Sequence, residues 1–487
     1  MTNSDCFLGL DLGTSSLKAV LTDKRGVVLA EASAHYPTLR PHIGWSEQDP
    51  VEWHRAMTET VASLYASAPE AMDRLVAIGF CSAAHLPVLL DADGKVVRPA
   101  ILWSDQRSSA EVKWLIADHG ARIRDATLNE PSCTWTLPQL VWVAGNEPDA
   151  IARTASLLSS KDYLIYLLTG RRQMDLTSAV ATLMYDVEAR TWDFDLTALA
   201  GLSPDALPEV VESTALVGRS GSGSDNFGLP DGIAVISGAL DSAAEIVVCG
   251  GPAIDPPAVI RVGSSAAILA PGEPVFKQGV LNYPHALLPG HYYQAGTNAG
   301  AVALQWVRHL AGGLEHDEVD EMVKAIPAGA DGLLFHPYLQ GERAPYWNPD
   351  MRGSFSGIHS RHEIGHFVRA VMEGVAFSLR DCIQRLDLNI SHDVPARLAG
   401  GVIRGQIWPQ ILADILELQL ETVDHAESAL GAAFIAMQAM NGPIGIPNVA
   451  THSTIRPDPE KAELYSGMFA RYQRWAAFID REARMGA

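Results

Sequence analysis

The chain is short of cysteine, of basic residues and of long apolar runs, and each shortage excludes something. Five cysteines, Cys6, Cys81, Cys133, Cys249 and Cys382, are scattered over 487 residues without a CxxC pair. Their odd count and mostly apolar neighbours point away from a disulfide framework and predict reduced core thiols in a cytoplasm. Lysine and arginine number 36 against 57 acidic residues, for a net charge of −21. That balance argues against a general binder of nucleic acid or of an acidic membrane, because phosphate backbones demand a basic surface. It leaves room for a small anionic ligand in a local pocket. No run approaches the ~18 apolar residues of a membrane span. The opening "MTNSDCFLGL" has no basic region before a long apolar stretch, so no secretory leader is expected. What is present is 47% apolar and 19% charged, the composition of a well-packed chain rather than a disordered one. At this length two or more domains are expected.

The most informative stretch is "LGLDLGTSSLKAV", residues 8–20. Phe7 to Leu10 reads as a strand and Ala19 to Leu21 as its antiparallel return. Between them Gly13 allows a tight turn. Thr14, Ser15 and Ser16 offer hydroxyls beside free backbone amides, Lys18 a positive charge, and Asp11 a carboxylate able to hold a cation through water. That inventory suits phosphate with Mg²⁺. The plain alternative is a hairpin with polar turn residues.

Further along, Asp23 to Gly26 forms a second turn and completes a three-strand meander over the first ~35 residues. In "WSEQDPVEWHRAM", Asp49 as N-cap, Pro50 at the first helical position and Glu52 as a capping-box acid start a helix at Pro50. Buried strands are expected at Leu75–Cys81 and near Val88–Leu90, the latter ending at "DADG", with helices at 105–118, 135–145 and 161–168. The Gly/Ser/Asp-rich segment 217–232 reads as a loop close to a domain boundary.

After that loop the opening pattern returns. "IAVISGALDSAAEIV" is strand, glycine turn, acid and small-residue helix, and "AVIRVGSSAAILA", residues 258–270, is strand, Gly-Ser-Ser turn and strand. The same hairpin is used twice, and two facing hairpins would grip a polyphosphate from both sides. Asp241, at the mouth of its turn, can receive a proton or can simply cap the helix that follows. A last segment, "LAGGVIRGQIWPQILADIL" at 398–416, brings a strand into a Gly400-Gly401 turn and then a helix with Trp408, Ile411, Leu412 and Ile415 on one side. It lacks the Lys-Ser/Thr of a Walker A loop. "HEIGH", 362–366, matches the zincin pattern, but Ser360 and Glu363 form a capping box, Gly365 weakens the helix, and no third ligand is near. Trp306, Tyr346, Trp347 and Trp408 read as packing, and Glu342 with Arg343 as an ion pair shaping a cleft.

Taken in order, "GLDLGTSSLKAV", "WSEQDP", "RPAILWSDQR", "SGALDSAAE", "VGSSAA", "PYLQGERAPYWNP" and "LAGGVIRGQIWPQILADI" resemble the motifs of the FGGY carbohydrate kinases, from about Leu8 to about Met437. Within that family they look most like those of xylulokinases. The resemblance implies an α/β chain of two ribonuclease-H-like domains, of the actin/hexokinase ATPase type, flanking a cleft: residues 1–245 for sugar and catalysis, 246–487 for nucleotide. It implies ATP and Mg²⁺ as cofactors, with a small sugar and ATP as partners, neither nucleic acid nor membrane, and a homodimer as an option. Residue by residue, Asp11 matches the Mg²⁺-associated acid and Asp241 the catalytic base. Thr14, Ser15, Ser16 and Lys18 fall in the first phosphate hairpin, Ser264 in the second. Gly300 and Gln305 match a nucleotide-side segment, and Gly401, Arg404 and Gly405 the adenosine loop. Ala84, His85, Asp241 and Ser242 line the sugar.

The chain departs from the family near the sugar. Where xylulokinases carry Gly-Gln-Met-His-Gly, this chain reads "CSAAHLP", with Ala83 for glutamine, Ala84 for methionine and Leu86 for glycine; Ser242 replaces an asparagine and Val402 a third loop glycine. The expected reaction is D-xylulose to xylulose 5-phosphate. The alternatives are gluconate or another pentulose or polyol and, in another class, an actin-like ATPase or a sugar-sensing pseudokinase.

Overall fold

The computed structural model describes residues 5–250, 257–423, 427–442 and 451–485. Two twisted sheets, each built from the same plan, organise the chain. The first begins with the expected meander: β1 (Cys6–Leu12), β2 (Ser16–Asp23) and β3 (Val28–His35), paired antiparallel. β4 (Leu75–Ser82) lies parallel to β1 on its other side, followed by β5 (Leu216–Arg219), β6 (Ala234–Ile236) and the short β7 (Ala239–Leu240). β6 and β7 both run parallel to β4, and β5 closes the edge antiparallel to β6.

The second sheet repeats this. β8 (Val259–Val262) and β9 (Ala266–Gly272) form its hairpin; β10 (Leu281–Pro284) and β11 (His291–Thr297) extend it beyond β9. β12 (Ala396–Ala399) and β13 (Leu420–Val423) continue parallel to β8, and β14 (Thr451–Ile455) closes the edge antiparallel to β13. Strand for strand, β1–β2–β3 with β4, β6 and β5 corresponds to β8–β9–β11 with β12, β13 and β14. The internal repeat legible in two hairpins is thus a repeat of whole sheets.

Period-two alternation sets the layers. Leu8, Leu10 and Leu12 join one core with Trp53, Met57 and Leu64 of the helix Pro50–Ser67, while Phe7 points to the opposite core. On that opposite face lies the helix Ser428–Asn441, from the last quarter of the chain. It crosses the sheet where Gly9 and Gly79 sit side by side, and a Cβ on either would overlap the Ala429 or Ala432 backbone. No helix among the described residues is long and apolar enough to cross a membrane. Cys6, Cys81, Cys249 and Cys382 are buried.

Several local expectations shift. Asp49 caps the first helix by accepting from the Val51 amide, but Glu52 turns to Arg55 instead of closing a capping box. The helix expected at 105–118 runs Ser109–Thr127, because Asp105 is occupied with the Ser46 and Arg107 amides. The loop expected at 217–232 begins only after Arg219, because residues 217–219 belong to β5, and it joins β5 to β6 within one sheet. Gly13 needs no left-handed backbone, but a Cβ there would meet Ser16 O at 3.3 Å, closer than most side chains tolerate. In the HEIGH segment the helix begins at Ile364, with Glu363 as cap and His366 closing its box. His362 therefore precedes the helix and His366 Nδ1 is engaged by the Glu363 amide, so the two histidines do not present one helical face.

Candidate active site

The C-terminal ends of β1, β4 and β7 lie side by side, and two carboxylates stand there. In the ladder Asp11 pairs with Cys81, and Cys81 with Ala239, two residues before Asp241. With strands about 4.8 Å apart and about 3.3 Å per residue along them, Asp11 and Asp241 stand roughly 12 Å apart, backbone to backbone. Their charges act on one another: burial first, then the Asp241 charge, push the Asp11 carboxyl up to about 7, with Lys18 opposing. Asp11 Oδ1 is buried with no hydrogen-bond partner. A desolvated carboxylate oxygen with no hydrogen-bond partner fits a divalent cation that keeps most of its waters.

Asp241 opens the helix Asp241–Gly250, and its Oδ1 accepts the Ser242 amide at 2.7 Å. Asp241 is thus the first helical residue, and its bond to the next amide is not the N2 or N3 contact of a helix cap. Burial raises its pKa, while Arg261 and the Ser242 amide lower it. Behind it, the Leu240 amide donates to Thr177 Oγ1, which donates to Asp175, and Asp175 pairs with the fully buried Lys161 at 2.9 Å. This chain fixes the strand end from which Asp241 projects.

The first hairpin turns its carbonyls inward. Gly13 O accepts from Tyr36 Oη at 2.5 Å, Thr14 O from Gln48 at 2.6 Å and Ser15 O from the Tyr36 amide at 3.2 Å. Thr14, Ser15 and Lys18 are exposed, Ser16 is buried, and Trp103 Nε1 donates to Thr14 Oγ1 at 3.1 Å. Lys18 Nζ lies 3.8 Å from Glu427. The second hairpin is held by a helix: the amides of Gly300 and Ala301 donate to Ser264 O and Gly263 O at 3.1 and 2.7 Å. A Cβ at Gly300 would stand 2.5 Å from Gly263 O, so the helix can approach only through glycine. Gln305 lies exposed further along that helix, Ala301–Leu310. Gly400, at φ +94°, brings the third loop against Val262 O; Gly401, Arg404 and Gly405 follow it in a short 3₁₀ turn and its cap. Gly263–Ser265, Gly300 and Gly400 thus form one glycine-rich cradle, with Ser264, Gly401 and Arg404 exposed along it.

Next to Asp241 the two sheets meet where His85 and Ser242 find Tyr283 and Tyr292, which sequence reading did not single out. His85, at φ 63°, donates from Nδ1 to Ala181 O at 2.8 Å, so Nε2 accepts from Tyr283 Oη at 2.9 Å. Burial holds its pKa down to about 4. Ser242 Oγ lies 2.8 Å from Tyr292 Oη. Tyr283 and Tyr292, on β10 and β11, pack ring against ring and Tyr283 against Trp135. Ala84 is half-buried beside His85, and the Ala83 amide donates to Leu12 O, tying this loop to the first hairpin. A small cavity here is lined by Ala83, His85, Leu86, Met174, Ser178 and Leu240. A roomier one, about 670 Å³, lies off the site between Leu176, Glu212 and the 284–291 turn and touches none of the residues assigned from sequence.

The aromatic residues read as packing do pack: Trp306 stacks near Phe335 and Phe355, and Trp408 and Trp347 donate to Met372 O and Gly279 O. Glu342 and Arg343 are not joined side chain to side chain. Glu342 accepts the Asn298 and Arg343 amides, while the guanidinium donates to Thr297 O and lies over the Trp103 ring. Tyr292 stands within "HYYQAGT", where alternation marks a strand but names no partner.

Comparison with known proteins agrees with this geometry. The model of the FGGY family of carbohydrate kinases matches in both parts, the N-terminal domain at residues 6–248 and the C-terminal domain at 258–440. A xylulose kinase of Lactococcus lactis is 34% identical over 438 residues, 88% of this chain and 87% of its own. A gluconokinase of Bacillus subtilis is 30% identical over 454 residues, 89% of this chain and 87% of its own. The crystal structure of xylulose kinase from Rhodospirillum rubrum superposes with a TM-score of 0.91 at 29% identity, covering 98% of this chain and all of that one.

Proposed function

This chain belongs to the FGGY family of carbohydrate kinases, and from that premise we propose that the sugar it phosphorylates with ATP is D-xylulose, giving xylulose 5-phosphate, with Asp241 as general base. The observation that carries the base assignment is the position of Asp241: at a sheet edge shared with Asp11, with one carboxylate oxygen engaged by its own helix and the other left for the sugar. Phosphoryl transfer through a loose transition state asks mainly for alignment and charge stabilisation, with the hydroxyl proton received late.

The two hairpins supply the alignment. Thr14, Ser15, Ser16 and Lys18 approach the phosphates from one side, Ser264 from the other. Gly300, Gln305, Gly401, Arg404 and Gly405 form the nucleotide wall. Asp11 would hold Mg²⁺, which when bound offsets charge on the β- and γ-phosphates. Ala84, His85 and Ser242 face the sugar, and Asp241 takes the proton of its reacting hydroxyl. Xylulose is favoured by the xylulose kinases among the relatives. A second reading, gluconate, is supported by the gluconokinases at 30% identity and by Ala83 and Ala84 standing before His85.

Asp241→Asn tests the base. The amide keeps the size but cannot take the proton, so turnover should fall by about 10²–10⁴-fold, with ATP affinity by calorimetry nearly intact. An equal loss of nucleotide affinity would mark Asp241 as structural.

A further inference from the structure

β8 carries an arginine where its neighbours carry core residues. Ile260 and Val262 belong to the core of the second sheet, whereas Val259 and Arg261 face the other way, toward the helix that starts at Asp241. Arg261 Nη1 donates to Glu245 Oε2 at 2.9 Å. Glu245 is buried, and its other oxygen has no hydrogen-bond partner, so Arg261 is what stabilises this carboxylate. Glu245 lies four residues after Asp241 on one helix, hence on the same face one turn away. Arg261 lies three residues before Ser264, at the foot of the second hairpin.

We infer that the Arg261–Glu245 ion pair is a positioning device for phosphoryl transfer, tying the hairpin that holds the donor phosphates to the helix that presents Asp241. The inference rests on the reading of Asp241 as base. The pair spans the two sheets, and the reaction needs the elements it joins held in line to within a fraction of an ångström.

Its charge has a second consequence. The groups acting on or around Asp241 are Asp11 on β1, Cys81 on β4, Glu245 on its own helix, Arg261 on β8, and Tyr283 and Tyr292 on β10 and β11. Burial raises the Asp241 carboxyl, and the Arg261 guanidinium opposes that rise. The Asp241 charge raises the Glu245 carboxyl one turn along the same helix, and since repulsion between like charges is mutual, Glu245 acts on Asp241 in the opposite sense to Arg261. Removing either partner breaks the tie, but the two removals change the field at Asp241 in opposite directions. A merely structural pair would not separate them.

The test uses the full chain with ATP and whichever of D-xylulose and D-gluconate it turns over faster, comparing Arg261→Met, Arg261→Lys, Glu245→Gln and Asp241→Asn. Arg261→Met should lower kcat on the order of 10²-fold with less than about a threefold change in KM for ATP, the split expected of lost alignment. The acid limb of its kcat/KM profile should move to higher pH. Glu245→Gln should also lower kcat but move the acid limb to lower pH. Arg261→Lys should return the limb toward the wild-type position and recover part of kcat. Thermal melts monitor folding; should Arg261→Met not fold, Glu245→Gln decides by its acid limb, which should move to lower pH while that of Arg261→Lys stays near the wild-type position. Acid limbs that stay put or move the same way in both charge variants would overturn the inference. Wild-type turnover in Asp241→Asn would instead remove the base reading on which it rests.

Discussion

Tyr283, on the second sheet, donates its hydroxyl to His85 Nε2, on the loop after β4 of the first, across 2.9 Å. Nδ1 is already committed to Ala181 O, so Nε2 is the only ring atom His85 can offer a sugar, and Tyr283 occupies it. A sugar hydroxyl that reaches His85 must displace this phenol. Tyr283→Phe should therefore lower KM for the sugar while costing about 1–3 kcal/mol of stability, since it leaves a buried acceptor unpaired. Steady-state kinetics and denaturant unfolding check both. A destabilised variant with unchanged KM would remove His85 from the sugar site.

Lys161 has no exposed surface and pairs with Asp162 at 2.6 Å and Asp175 at 2.9 Å. Through Asp175 and Thr177 it supports the Leu240 amide, next to Asp241. Lys161→Met strands two buried carboxylates and should cost about 3–5 kcal/mol in urea unfolding. Adding Asp175→Asn and Asp162→Asn should recover much of that loss, and a single-variant loss below about 1 kcal/mol would contradict the account.

His336 offers a pH test away from the chemistry. It is fully buried, shares a hydrogen bond with Tyr472 O at 3.0 Å, and is held down to about 4 by burial. An unfolded histidine titrates near 6.5, so between about 6.5 and 4 the unfolded chain binds a proton that the folded one refuses. Stability is present above 6.5 and falls as pH drops through that window, by about 3 kcal/mol from this residue at 1.36 kcal/mol per unit. His336→Gln should flatten that part of the stability profile. An undiminished slope would show that His336 is not buried neutral.

What could be read from sequence was local. Asp11, Gly13 and the hydroxyls of residues 14–16 stand between two apolar runs, and their repetition at 263–265 announced a second hairpin without any partner being known. Asp241 was only half legible: an acid at a glycine turn before a small-residue helix caps as readily as it accepts a proton, and the family resemblance alone favoured the base. Tyr283, Tyr292 and Arg261 were not legible, because their partners lie on other elements of the fold: Tyr283 is 198 residues from His85. The misplaced start of the 109–127 helix has the same origin. Asp105 has the sequence of a cap, but the Ser46 amide, 59 residues away, takes its carboxylate. Gly9 and Gly79 passed as strand glycines because the helix that needs them is encoded some 420 and 350 residues later.

The most direct measurement is ADP release by the purified wild-type chain with ATP and Mg²⁺, comparing D-xylulose, D-gluconate and no sugar. The account predicts turnover with D-xylulose well above both the gluconate and the sugar-free rates, with one xylulose 5-phosphate formed per ADP. Turnover with gluconate alone would overturn the choice of sugar, and equal ADP release with and without any sugar would contradict sugar phosphorylation itself.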